Sequence, residues 1–147
     1  MNISRRRTFF AALSGVAILL TTSPAWGQKK KMHQVVFELT SDNQEYWQAL
    51  LNNLENLQKA LGKENAEIEV VTHGKGLVLL RNTNTGFKDR IQALAHTGLR
   101  FAACENTMRR QKVTREDLLQ EAVTVDSGVA EVVRKQEAGW SYIKSGS

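Results

Sequence analysis

Cys104 is the only cysteine in 147 residues, and it stands where the apolar run LRFAAC gives way to ENTMRR. A single thiol makes no intrachain disulfide, so in an oxidising compartment it is buried, paired with another chain or kept for chemistry. As a reagent it would act as the thiolate. A helix starting at Asn106 or Thr107 would aim free N–H groups at the sulfur and favour that form, and Arg109 and Arg110 would either add positive charge or face solvent. The opposing reading makes Cys104 a small core residue, because free cysteine is among the most buried types.

His73, in THGKG, would be a base, a ligand, an orienting donor or simply a turn histidine. Gly74 and Gly76 let the backbone turn sharply or approach an anion, but GKG is too short to be a phosphate loop. Ser127 and Gly128, in DSGVAE, make either an anion-binding nest or an ordinary helix N-cap. Glu116 and Asp117 fit a helix first turn better than acid-base work. Three scattered histidines and one cysteine have no metal-ligand spacing, so no metal is expected.

These residues need elements to hold them. HQVVFELT is rich in β-formers and predicts a first strand, and AEIEVVTHG a second. LRFAAC and AVTV supply a third and a fourth. Between the first two, Trp47, Leu50, Leu51, Leu54, Leu57 and Leu61 recur at helical spacing, with Ser41 or Asp42 as N-cap and Gly62 as stop. Phe87, Ile91 and Leu94 mark a helix closed by Gly98. Thr114 and Asp117 have capping-box spacing and start a short helix running to Leu119. Val129, Val132, Val133 and Trp140 read as one stripe on a last helix over SGVAEVVRKQEAGWSYI. The short apolar run Leu77–Leu80 fits either helix or strand.

Strands alternating with helices predict a parallel sheet covered on both faces. In such sheets ligands bind beyond the carboxyl ends of the strands. That rule selects Thr40, His73, Gly74, Gly76, Cys104, Asn106, Thr107, Ser127 and Gly128, and leaves the sulfur open at the sheet margin.

The N-terminus is a different kind of sequence. Three arginines (Arg5, Arg6, Arg7) precede an uncharged, largely apolar run from Phe9 to Leu20 and then SPAWGQ. A basic head, an apolar stretch too short to span a bilayer and small residues at the exit describe a secretory signal, cut after Gly27. Arg6-Arg7-Thr8-Phe9-Phe10 has the twin-arginine export pattern, which implies folding before translocation to the periplasm. An uncleaved anchor is the alternative. Residues 28–147 then form one domain with one core. The cut removes three arginines and no acid, leaving 17 basic residues against 15 acidic. Lys29, Lys30 and Lys31 form a solvated tail, and no basic stripe interleaved with aromatics points to nucleic acid.

HGKGLVLL, LRFAACENTMRR and VDSGVAEVVRKQEAGWSYI together resemble the DsrE-like family, especially its small exported members, across nearly the whole chain after the leader. The cytoplasmic DsrE and TusD proteins of sulfur-relay systems are similar in carrying a cysteine after a strand and an Arg-Arg pair shortly beyond it, matching Cys104, Arg109 and Arg110 here. The resemblance implies a flavodoxin-like α/β layer fold, assembly as a homotrimer or homohexamer, and no cofactor. It implies that Cys104 accepts sulfur as a persulfide from a donor, whether a protein or a small sulfur compound, and hands it to an acceptor. Two rivals stand beside that function. One is a non-catalytic module that binds a small anion or peptide, or assembles, with Cys104 lining the wall. The other is a thiol redox sensor.

Overall fold

The structure is a computed structural model that describes residues 32–146. The expected export signal and its expected cut after Gly27 lie outside the described residues. Five strands, β1 (His33–Leu39), β2 (Ala66–Thr72), β3 (Arg100–Cys104), β4 (Ala122–Val125) and β5 (Ser141–Ser145), form one sheet in the order β4-β3-β2-β1-β5. Every pairing in it is parallel. Four helices connect them: α1 (Gln44–Leu61), α2 (Thr85–His96), α3 (Glu105–Gln111) and α4 (Gly128–Glu137). The layered α/β fold implied by the sequence is the one observed.

Period-two alternation sorts the strands between two faces. Val35, Phe37, Leu39, Ile68, Val70, Phe101 and Ala103 belong to a large apolar core shared with Trp47, Leu50, Leu51 and Leu54 of α1 and Ile91 and Leu94 of α2. Val36, Val71 and Ala102 face the other way and form a smaller apolar cluster with Val132, Trp140 and the partly buried Val125. On that side the chain leaves β4 at one edge and crosses the sheet as α4 to reach β5 beside β1.

Several boundaries differ from the sequence reading. Asn43, not Ser41 or Asp42, caps α1, its Oδ1 accepting from Glu45 N–H at 2.8 Å. Ser41 instead accepts from Asn43 N–H, and its carbonyl takes the Trp47 indole N–H. The Thr114–Asp117 capping box forms, but it starts one 3₁₀ turn, Arg115–Asp117, rather than a helix to Leu119. The ambiguous run is also 3₁₀, over Gly74–Leu80, with Leu77, Leu79 and Leu80 buried. The largest difference is at the C-terminus. The helix stops at Glu137, Gly139 turns with φ 89°, and Ser141–Ser145 pairs with β1 as a fifth strand. Trp140 sat at helical spacing only by coincidence. Val129 and Val133 are exposed, and Val132 alone of the three valines packs inward.

Candidate functional site

Glu38, His73 and Cys104 have the same strand parity as Val36, Val71 and Ala102, so all three lie on the α4 side of the sheet, at the carboxyl ends of β1, β2 and β3. Tyr142 pairs with Val36 across β1 and β5 and shares that face. The N-terminus of α4 closes over this corner through Gly128. A Cβ placed there would come within 3.0 Å of His73 Cβ, 3.1 Å of His73 Cδ2 and 3.2 Å of Cys104 Cβ. A side chain there would crowd both the imidazole and the thiol, and glycine lets the helix start between them without displacing either.

Cys104 ends β3 and is the N-cap of α3. The sulfur does not lie open at the margin as the sequence suggested, because the residue is 4% exposed. Its surroundings are nonetheless polar. Burial pushes the thiol up, but hydrogen bonds from the Gly128 N–H, the Thr107 hydroxyl and the N–H groups of Thr107 and Asn106 outweigh it and hold the group below the usual thiol range. Thr107 couples this set to the loop after β2. Its Oγ1 accepts from Gly74 N–H at 3.0 Å, which leaves its own hydrogen for the sulfur. Gly74 adopts φ 57°, left-handed backbone that favours glycine. Gly76 packs flat on the end of β1, where a Cβ would be 2.2 Å from the Leu39 carbonyl oxygen.

A cleft of about 200 Å³ opens beside Thr107 and His73, lined also by Gly74, Arg110 and Gln111. Gln111 Nε2 donates to the Gly74 carbonyl at 2.8 Å. The two arginines diverge: Arg110 lines the cleft, whereas Arg109 turns to the Asn106 side-chain oxygen and lies 4.0 Å from Glu105. The remaining sequence candidates sit at the edge of the site. Ser127 is the N-cap of α4, its Oγ accepting from Ala130 N–H at 3.4 Å, and Thr40 is half-buried past the end of β1.

Two residues of the corner were not singled out from the sequence. Glu38 Oε1 lies 2.7 Å from His73 Nε2, and Tyr142 OH donates to Glu38 Oε2. Burial pushes the Glu38 carboxyl up, yet the hydrogen bonds from Tyr142 and His73 and the charges of His73 and Lys144 bring it below the ordinary glutamate value. The legible signal was a carboxylate embedded in the apolar strand VVFEL. Tyr142 was out of reach as long as β5 was read as helix. Among the described residues no group of three or more His, Cys, Asp or Glu is arranged to hold a metal ion.

Set against known families, the chain matches the DsrE/DsrF-like family over residues 15–145. Among solved structures it is similar to the protein of unknown function MTH1491 from Methanobacterium thermoautotrophicum, at 35% identity and a TM-score of 0.73, over 76% of this chain and 98% of that one. BT1422 from Bacteroides thetaiotaomicron, a conserved protein of unknown function, shares the fold at 17% identity and TM-score 0.62, over 76% of this chain and 93% of that one. The ychN protein from E. coli does so at 10% identity and TM-score 0.62, over 78% and 98%. No curated protein matches. With the family match spanning sheet and corner alike, and a structure 35% identical covering 76% of the chain, the chain belongs to the DsrE/DsrF-like family.

Proposed function

We propose that the protein handles sulfane sulfur, with Cys104 taking it up as a persulfide and passing it to an acceptor. Membership of the DsrE/DsrF-like family supports a sulfur-relay type of role in general. The observation that carries the reading to Cys104 is its place, at the N-cap of α3 and against the start of α4 at Gly128, where polar groups of Gly128, Thr107 and Asn106 favour the thiolate. In uptake, the thiolate attacks the outer sulfur of a donor persulfide, R–S–SH. A new S–S bond forms at Cys104, the donor S–S bond breaks, and its electron pair leaves on R–S⁻, which takes the outer proton to become R–SH. An acceptor thiolate then attacks the outer sulfur held on Cys104, and Cys104 leaves as thiolate. Sulfur and electron pair move together, so the cycle uses no separate oxidant, reductant or cofactor.

A thiolate stabilised by fixed amides serves both halves of this cycle, since it attacks at neutral pH and is also a good leaving group. The export signal would put the chemistry in the periplasm, with small sulfur compounds or periplasmic proteins as donor and acceptor. Assembly as a homotrimer or homohexamer belongs to the same proposal. One observation favours a second reading, a non-catalytic binding or assembly module: the sulfur is nearly closed off, at 4% exposure of its residue. Incubating the purified protein with a sulfane-sulfur donor and weighing it intact separates the two. Carrier function predicts one added sulfur, absent in Cys104→Ser. An unchanged mass, together with a Cys104→Ser protein that keeps its ligand affinity and cellular phenotype, favours the module.

A further inference from the structure

The corner contains a proton path as well as a thiol. His73 offers two ring nitrogens, and the structure commits one of them. Nε2 lies 2.7 Å from Glu38 Oε1, and the other oxygen of that carboxylate accepts from Tyr142 OH. A carboxylate held ionised at neutral pH is an acceptor only, so the imidazole is the donor through Nε2, and the neutral ring then keeps its lone pair on Nδ1. The Cδ2 edge of the ring is occupied by the start of α4 at Gly128. No described residue hydrogen-bonds Nδ1. The side chain keeps 18% of its surface open, and His73 lines the cleft together with Thr107 and Arg110.

We propose that Glu38 and Tyr142 are positioning residues that lock His73 as its Nε2–H tautomer, so that Nδ1 carries the proton when sulfur moves through Cys104. The proposal deepens the carrier reading and rests on it. When the Cys104 thiolate takes the outer sulfur of R–S–SH, Nδ1 accepts the proton of that sulfur and returns it to the departing R–S⁻. The imidazole ends as it began, neutral. Glu38 keeps the ring oriented and stabilises the transient imidazolium without itself taking the proton, the division of labour of an acid–histidine pair. Tyr142 holds the carboxylate from the far side, through a strand whose parallel pairing with β1 puts the phenol on the right face. The sulfur's own ionisation is set separately, by Gly128, Thr107 and Asn106.

That separation gives the test. Histidine ring ¹⁵N spectra of the full chain, recorded at about pH 8.5 where free imidazole is neutral, contain three histidines, and a His73→Asn sample identifies the one of interest. The expected wild-type signature is a single tautomer, protonated at Nε2. Glu38→Gln replaces an obligate acceptor by an amide that either donates or accepts, so the signature becomes a mixture. In the same variant, sulfur uptake by Cys104 should slow about tenfold or more, while alkylation of Cys104 by iodoacetamide stays within about twofold of wild type, which also shows that the corner is folded. Tyr142→Phe, at a site 38% exposed, guards against misfolding of the first variant. It should keep the tautomer and slow uptake by about twofold to threefold, a fraction of the acid–base contribution. A wild-type His73 protonated at Nδ1, or a Glu38→Gln protein with an unchanged tautomer, overturns the lock. An altered tautomer with unchanged uptake overturns the proton transfer. A wild-type protein that accepts no sulfur removes the carrier reading and the proton role with it, and the spectra still decide the lock alone.

Discussion

Beneath α1 and α2 the sheet presents hydrocarbon, and beneath α4 it presents a mixture. Phe37, Ile68, Val70 and Phe101 on the first face are each 2% exposed or less and belong to the large apolar core. On the second face the same strands interleave Val36, Val71 and Ala102 with Glu38 and Glu69. Glu69 is fully buried in the middle of β2, with Lys135 Nζ 2.8 Å from Oε2 and Arg100 Nε, on the neighbouring strand, 3.5 Å away. Neither carboxylate oxygen has an aligned hydrogen bond, so this is an ion contact, and Lys135 also stacks over the Trp140 ring at 3.9 Å. The contrast teaches where a small fold can place polar chemistry. A face packed into hydrocarbon beneath α1 and α2 has no partner to offer a charge, whereas a face crossed by one amphipathic helix can supply a lysine at one end and a free amide at the other. The ion contact fastens the C-terminal half of α4, and Gly128 at its N-terminus reaches the sulfur. Stability and chemistry are divided between the faces.

The division breaks most visibly under truncation of the hydrocarbon side. Phe101→Ala should cost about 4 kcal/mol, much of the margin of an ordinary domain, whereas Val132→Ala on the α4 side should cost about 2 kcal/mol. Urea melts of the two variants measure the difference, and equal losses would mean that the faces contribute alike. Next in size is Glu69. Removing it leaves Lys135, only 14% exposed, facing the sheet without its main counter-charge, so Glu69→Ala should cost about 3 kcal/mol. Glu69→Leu combined with Lys135→Met should restore most of that, because two apolar side chains need no compensation. If the double variant is as unstable as the single one, the pair is not what secures α4.

The hydrocarbon face was readable from sequence, and the chemical face only in part. The period of Trp47, Leu50, Leu51, Leu54 and Leu57, the β-branched runs and the stop at Gly62 gave α1 and four strands, since each element buries one regular stripe. Position at a strand exit was enough to bring His73, Gly74, Cys104, Thr107 and Gly128 into one corner. It passed over Glu38, one residue inside β1, because the rule selects loop residues while the parity of a strand also selects its last inward-facing side chain. Tyr142 was lost to a competing pattern: Val133 and Trp140 are seven apart, a helical interval, and nothing local in EAGWSYI other than Gly139 announces a strand that is stabilised by distant pairing with β1. The closure of the sulfur was illegible for the same reason, since it depends on where α4 lands after crossing the sheet.

The smallest expected effect tests the amide cradle itself. Thr107→Val preserves shape at a buried position but deletes the hydroxyl that bridges Gly74 N–H and the sulfur. Burial raises the Cys104 thiol, and the donors more than offset it; with one donor gone the balance moves back toward the ordinary thiol range. Alkylation followed against pH should show its midpoint moved upward, with the neutral-pH rate lower by up to about tenfold, the worth of a hydrogen bond to a charged acceptor. Linkage fixes the sign of the stability change. A thiol whose folded value lies below its unfolded one adds stability that is fully present above the unfolded value and is lost as pH falls through the folded one. The wild-type protein should therefore gain more stability than the variant on going from neutral to alkaline pH. A midpoint unmoved by Thr107→Val would mean that the amides of Gly128 and α3 suffice to ionise the sulfur, and that the α4 face, rather than the loop after β2, owns the chemistry of Cys104.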